Sequence, residues 1–188
     1  MILLGIDEVG RGCWAGPLVA GAVVLGDPIV GLNDSKKLTK LQRMRLSEQI
    51  HASALAVGLG WVTPLELDTH GLTWAVKTAM ERAFANVHVS VDKIIVDGNI
   101  NYLHSDPRAK AVIQADASVP AVSAASIVAK VARDTYMSSL GDAYAGYGFE
   151  QHVGYGTKQH VEALRKHGVS DIHRRSFKPI CQLLNHVE

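Results

Sequence analysis

Residues 6–17 read IDEVGRGCWAGP, so two adjacent carboxylates, Asp7 and Glu8, close an apolar run and precede an arginine flanked by glycines. Acids presented at the end of a strand can hold a hard cation, and the glycines after them let backbone come close to a phosphate or sugar. Neighbouring strand side chains point to opposite faces, so Asp7 and Glu8 share a ligand only if the strand ends there. Two further acids have the same setting: Asp97 follows Ile94-Ile95-Val96 and precedes Gly98, while Asp116 follows the run 111–115. Three strands would then deliver Asp7, Glu8, Asp97 and Asp116 to one place. Four carboxylates brought together repel unless protonated or neutralised by cations. Oxygen-only ligation suits Mg2+ or Mn2+ better than zinc. A pair of such ions, about 4 Å apart, can activate water and stabilise the leaving oxygen of a phosphodiester. The chemistry indicated is phosphodiester hydrolysis.

Groups able to meet phosphate are spread along the chain. Asp34, Ser35, Lys36 and Lys37 offer a hydroxyl and two ammonium groups, and Arg11, Lys130, Arg133, Arg174 and Arg175 could line a basic track. Tyr155, between Gly154 and Gly156, either presents its ring to a sugar or base or covers the core. Small residues at Ala121, Ser123, Ala124, Ala125 and Ala129 indicate a helix packed closely on a sheet or on a substrate backbone. The nine histidines include no His-Glu-x-x-His pattern, and His152, His160, His167 and His173 read as surface or nucleic-acid-side groups; zinc is not indicated. Cys13 and Cys181 make neither a metal cluster nor a disulfide framework, and read as free thiols in a reducing compartment. A phosphate loop of the G-x-x-x-x-G-K-[ST] type is absent around Arg11, which removes a nucleotide-binding switch.

The positioning elements follow from patterning. Strands are expected at 2–6, 19–25, 55–62, 93–96 and 111–115. Helices are expected at 39–52, with Thr39 as N-cap, and at 64–68, 72–87, 120–140 and 158–166. Gly58 and Gly60 mark a bend or a close approach. The 188 residues, 47% hydrophobic, 20% charged and of net charge +1, fit one soluble domain. No apolar run nears the roughly 20 residues that span a bilayer. No basic segment precedes the first apolar run, so no secretory leader is expected. The expected fold class is α/β: a mixed sheet flanked by helices, about 1–140, with a helical C-terminal extension over about 141–188.

In order, GIDEVGRGCWAGP (5–17), LNDSKKL (32–38), IIVDGN (94–99), ADASVPAVSAASIVAKVARD (115–134), YGFEQHVGYGT (147–157) and HGVSDIHRRSF (167–177) closely resemble ribonuclease HII, the bacterial type 2 ribonuclease H. The resemblance covers nearly the whole chain. It implies a ribonuclease H-like mixed sheet with a C-terminal region closing over substrate. It implies endonucleolytic cleavage of the RNA strand of RNA–DNA hybrids, and incision 5′ of single ribonucleotides embedded in duplex DNA, leaving 3′-hydroxyl and 5′-phosphate ends. Asp7, Glu8 and Asp97 would hold Mg2+ or Mn2+, two ions with substrate bound, and Asp116 would complete the site.

By the same resemblance Gly10, Arg11 and Gly12 sense the ribonucleotide 2′-hydroxyl, and Tyr155 packs on the following deoxyribose. Ser35, Lys36, Lys37, Ser123, Lys130 and Arg174 are counted as further substrate contacts. Gln114, Ala115 and Val153 depart from the family pattern, at places where lysine or glycine is frequent, and remove possible phosphate contacts. The extra N-terminal domain of the related ribonuclease HIII is not expected, with the first strand beginning at Ile2. A cytoplasmic monomer active in ribonucleotide excision repair is expected, without a membrane and with protein partners left open. The alternative is a catalytically silent hybrid-binding module, against which the intact acids argue.

Overall fold

The computed structural model describes residues 1–33 and 35–185; Asp34, counted above among the phosphate contacts, lies outside the described residues. Five strands form one sheet: β1 (Leu3–Val9), β2 (Leu18–Leu25), β3 (Ala54–Val62), β4 (Lys93–Asp97) and β5 (Ala109–Val112), in the order β3-β2-β1-β4-β5. The pairs β1/β2 and β2/β3 are antiparallel, whereas β1/β4 and β4/β5 are parallel. Parallel register sets Ile6 opposite Val96, so Asp7 and Asp97 leave adjacent strands on the same side of the sheet.

The helices are α1 (Lys40–Ser53), α2 (Pro64–His70), α3 (Leu72–Ala85), α4 (Ala115–Ser118), α5 (Pro120–Ser139), α6 (Phe149–His152), α7 (Lys158–His167) and α8 (Lys178–Asn185). Thr39 caps α1 in a capping box with Gln42, as its sequence position predicts, and Thr63 does the same for α2 with Glu66. Helix α5 crosses β1 and β2 where Gly5 and Gly21 leave room: a Cβ on either would run into backbone of Ala121 or Ala125. Gly58 and Gly60 admit α3 to β3 in the same way, so they mark a close approach. The apolar faces of Leu4, Ile6, Ala20, Ala22 and Val24 bury against Val76, Ala79, Met80 and Ala83 of α3. Val23 and Ile50 meet Ala124, Ile127 and Val128 of α5 on the other face.

The last strand differs from the sequence expectation. It occupies Ala109–Val112, not 111–115, and Asp116 belongs to the short helix α4. Pairing with Ile94–Asp97 is complete at Val112, Gln114 turns the chain through φ 55°, and the Asp97 carboxylate then accepts the N–H of Ala115. Asp116 therefore comes off a helical turn, not a strand end.

The C-terminal helices enclose a second core of Ala15, Met137, Tyr147, Phe149, Ala163, Leu164 and Ile180. Three histidines read above as surface groups are inside it: His152, His160 and His173 are buried, and only His167 is exposed. Their polar edges are satisfied internally, which is what permits the burial. His160 and His173 lie 2.9 Å apart, Nε2 to Nε2. Burial lowers both, to about 4 each, with the neighbouring histidines adding to the effect.

A histidine held at about 4 when folded, against the usual 6.5, binds a proton in the unfolded chain first. Its stabilising contribution is complete above pH 6.5 and is lost as pH falls from 6.5 towards 4. The stability advantage of the wild type over His173→Leu should therefore shrink across that window in urea titrations. An advantage that stays flat from pH 7 to 4.5 would contradict it.

Candidate active site

One carboxylate oxygen from each of Asp7, Asp97 and Asp116 can be chosen so that all lie within 4.8 Å of one another. Asp7 reaches this point from β1, Asp97 from the end of β4, and Asp116 from the first turn of α4. The Asp97 Oδ1 ties the last two together, accepting Ala115 N–H at 2.7 Å and Asp116 N–H at 3.4 Å. Strand β1 continues to Val9, so Asp7 and Glu8 alternate along it, although both line one groove. Glu8 is accordingly outside the three-acid cluster, on the wall of the same groove, with Arg11 at 3.3 Å.

Burial, then the charges of Glu8 and Asp97, hold the Asp7 carboxyl well above the usual range. Burial also raises Glu8, against the pull of Arg11. Three crowded carboxylates with no nitrogen or sulfur donor among them fit a hard divalent cation. Lys36, 3.8 Å from the Asp116 Oδ2, supplies part of the compensating charge.

Asp7, Glu8 and Asp97 open onto a groove of about 280 Å³, walled also by Gly10, Arg11, Gly12, Lys36, Lys130 and Tyr155. Two wall residues escaped the sequence reading. Ser126 of α5 lies beside Asp7, lowering its pKa in part, and its hydroxyl is 2.9 Å from that of Ser35. Arg43 of α1 donates to the carbonyls of Ser35 and Leu38, fixing the turn that carries Lys36. Ser126 lies in the run of small residues that signals packing, three residues from Ser123 and four from Lys130, and that spacing was the available signal.

Tyr155 projects its ring into the groove with Lys130 Nζ 5.1 Å and the Arg133 guanidinium 5.8 Å from its centre. Burial and the Cys13 thiol raise its hydroxyl to about 12, so it remains a neutral donor. Lys130 is also paired with Asp134 at 2.8 Å.

Other expected contacts take structural places. Lys37 is exposed but does not line the groove. Ser123 is buried and donates to the Asn33 carbonyl, holding the segment before the Ser35 turn. Arg174 is fully buried: Nε donates to the Gly16 carbonyl and Nη1 to that of Arg11, so it supports the glycine-rich loop from beneath. Burial lowers it to about 10. Arg133 is equally buried and donates to the carbonyls of Pro17, Ala15 and Val153. Arg175 is exposed and its backbone N–H binds Asp68.

A mixed sheet with acids on adjacent parallel strands, flanked by helices and open along a groove, is a ribonuclease H-like fold. The ribonuclease HII family model matches residues 4–180, and the chain belongs to that family. It is 47% identical over 184 residues to the ribonuclease HII of Shewanella loihica, covering 96% of this chain and 88% of that one. The ribonuclease H2 of Pyrococcus horikoshii superposes with a TM-score of 0.84 at 27% identity, over 99% of this chain and 98% of that one. The ribonuclease HII of Archaeoglobus fulgidus, solved in complex with PCNA, gives 0.81 at 27% identity, over 95% and 96%. The protein is therefore an endoribonuclease of the ribonuclease H kind.

A carboxyl held above its unfolded pKa costs stability at neutral pH, because the unfolded chain ionises it freely. Asp7→Asn should raise the melting temperature of the metal-free protein by a few degrees, through relief of that repulsion. A lowered melting temperature in EDTA would show that the Asp7 carboxylate stabilises the fold.

Proposed function

We propose that the protein hydrolyses the RNA strand of RNA–DNA hybrids and incises on the 5′ side of single ribonucleotides in duplex DNA, leaving 3′-hydroxyl and 5′-phosphate ends. The observation that carries this reading is the joining, in one groove, of Asp7 and Asp97, which cluster with Asp116, with the Gly10–Gly12 loop and the Tyr155 ring. Mg2+ or Mn2+ held by the acids would lower the pKa of a bound water and offset charge on the phosphate during in-line displacement.

The residues divide the remaining work. Asp7, Asp97 and Asp116 set the attack position, with Glu8 beside them; strand register fixes Asp7 and Asp97 in advance of substrate, and the bonds from Asp97 to the α4 turn place Asp116. Among the described residues no atom lies within 4 Å of the place a Cβ of Gly12 would occupy, which leaves its backbone open to a sugar. Only the 2′-hydroxyl separates a ribonucleotide from its neighbours in DNA, so backbone groups at sugar distance are the economical reader. Tyr155 offers a ring face to the next sugar, and Lys36, Lys130 and Arg11 supply cations for the strand. Residues 1–140 then form the catalytic core and the following helices the substrate cover, in a monomer acting in the cytoplasm. No helix among the described residues is long and apolar enough to cross a membrane.

The deciding assay uses a labelled duplex with one ribonucleotide, given Mg2+, Mn2+ or EDTA. Metal-dependent incision 5′ of the ribonucleotide is expected, and binding without incision in every arm would favour a silent binding module. Asp7→Asn should lose at least about a hundredfold in turnover. Tyr155→Ala should impair the single-ribonucleotide substrate more than a long hybrid, and equal losses would remove Tyr155 from junction reading.

A further inference from the structure

The turn that carries Tyr155 is strained and heavily fastened. Val153, a β-branched residue, sits at φ 45°, a region such side chains avoid. Its carbonyl accepts from Arg133 Nη1 at 2.9 Å. The Gly154 N–H donates to His152 Nδ1, and the Gly154 carbonyl accepts the N–H of Trp14 and Ala15. The Tyr155 carbonyl faces His160 Nδ1 at 2.9 Å. The ring of Tyr155 is the part of this turn that is left facing the groove.

We propose that His173 and His160 form a proton-ordered relay that positions Tyr155 for substrate reading, which makes both histidines positioning residues for cleavage. The relay rests on the role given to Tyr155 above. Its order follows from hydrogen-bond polarity. A carbonyl only accepts, so His160 Nδ1 carries the proton facing Tyr155. His160 Nε2 then presents a lone pair to His173 Nε2, 2.9 Å away, which must be the donor. His173 Nδ1 in turn accepts the N–H of Ser170 at 3.0 Å and its hydroxyl at 2.7 Å. One arrangement satisfies every partner, with both rings neutral, in agreement with the lowering of both towards about 4.

Around the pair stand His152, stacked 4.4 Å from His160, with Tyr147 and Asp171 on the His173 side; Lys130 and Arg133 lie across the Tyr155 ring. A core built only for stability would fill this space with apolar side chains. A fully satisfied polar chain instead defines one geometry, and here it ends on the carbonyl of the residue whose ring faces the substrate.

The test compares cleavage of a duplex holding one ribonucleotide with cleavage of a long hybrid. His173→Leu removes the donor to His160, and His173→Gln keeps an N–H there. His173→Leu should lower the ratio of the two rates about tenfold, His173→Gln should recover most of it, and His173→Leu added to Tyr155→Ala should leave the ratio of Tyr155→Ala unchanged. A ratio unaltered by His173→Leu while Tyr155→Ala lowers it overturns the relay and spares the reading of Tyr155. A ratio unaltered by Tyr155→Ala overturns that reading, and the positioning role with it. Should His173→Leu not fold, 15N-edited NMR of the wild type at pH 7 decides. The Nδ1–H form of His160 with the Nε2–H form of His173 supports the relay, and any other pair of forms overturns it.

Discussion

The buried guanidinium of Arg133 is the constraint on which the glycine-loop and Tyr155 side of the groove depends. Its N–H groups bind three backbone carbonyls, those of Ala15, Pro17 and Val153, which come from two segments far apart in sequence. No carboxylate neutralises it among the described hydrogen bonds and ion pairs; the carbonyl dipoles do so collectively. Removing a cation from water costs several kcal/mol, so the three bonds must all be made at once, and that requirement fixes where the segments lie. Gly10, at φ 85°, packs directly on this side chain, where a Cβ would collide with its Nε. The loop that follows the acids can take its path only because glycine stands there and arginine lies beneath.

The acid cluster is governed by an opposite logic. Its carboxylates are crowded by rigid elements, and burial with like charge raises Asp7 far from its ordinary value. The sheet does not relieve this repulsion; it imposes it, because parallel pairing of β1 with β4 dictates that Asp7 and Asp97 be neighbours. The stability for that imposition comes from the two apolar faces of the sheet and the close seating of α5 on Gly5 and Gly21. Charge that is uncomfortable without a cation is charge already placed for one.

Much of this was legible in the sequence. Apolar runs located four of the strands to within a few residues, and acids beside glycine marked Asp7 and Asp97 as more than surface charge. The fifth strand was misplaced because AVIQA reads as a buried run by composition, whereas its pairing partner β4 is used up at Val112. Pattern within a segment carries no information about where a neighbouring strand ends. Arg133, Arg174, His160 and His173 were misread for a related reason. Charged or polar residues signal surface by default, and their burial depends on carbonyls and imidazoles contributed by distant parts of the chain. Ser126 was missed because a serine in an alanine-rich helix looks like packing, and half of its role is packing.

The acids and the loop-and-ring wall of the groove are thereby built on different supports. The acids belong to the sheet and α4, while the glycine loop and the Tyr155 turn belong to each other: Gly154 accepts from Trp14 and Ala15, Gly16 donates to Ile172, and Trp14 accepts from Arg174. Arg133 and Arg174 fasten the same assembly from within. The two supports meet at residues 8–11, where Glu8 meets Arg11 and the chain turns at Gly10, and along α5, whose Ser126 lies beside Asp7 and whose Arg133 fastens the loop. The shared bonds tie the loop and the ring to one another, while Asp7 and Asp97 keep the register set by β1 and β4. The loop and the ring are thus placed by buried arginines, and Asp7 and Asp97 by strand pairing.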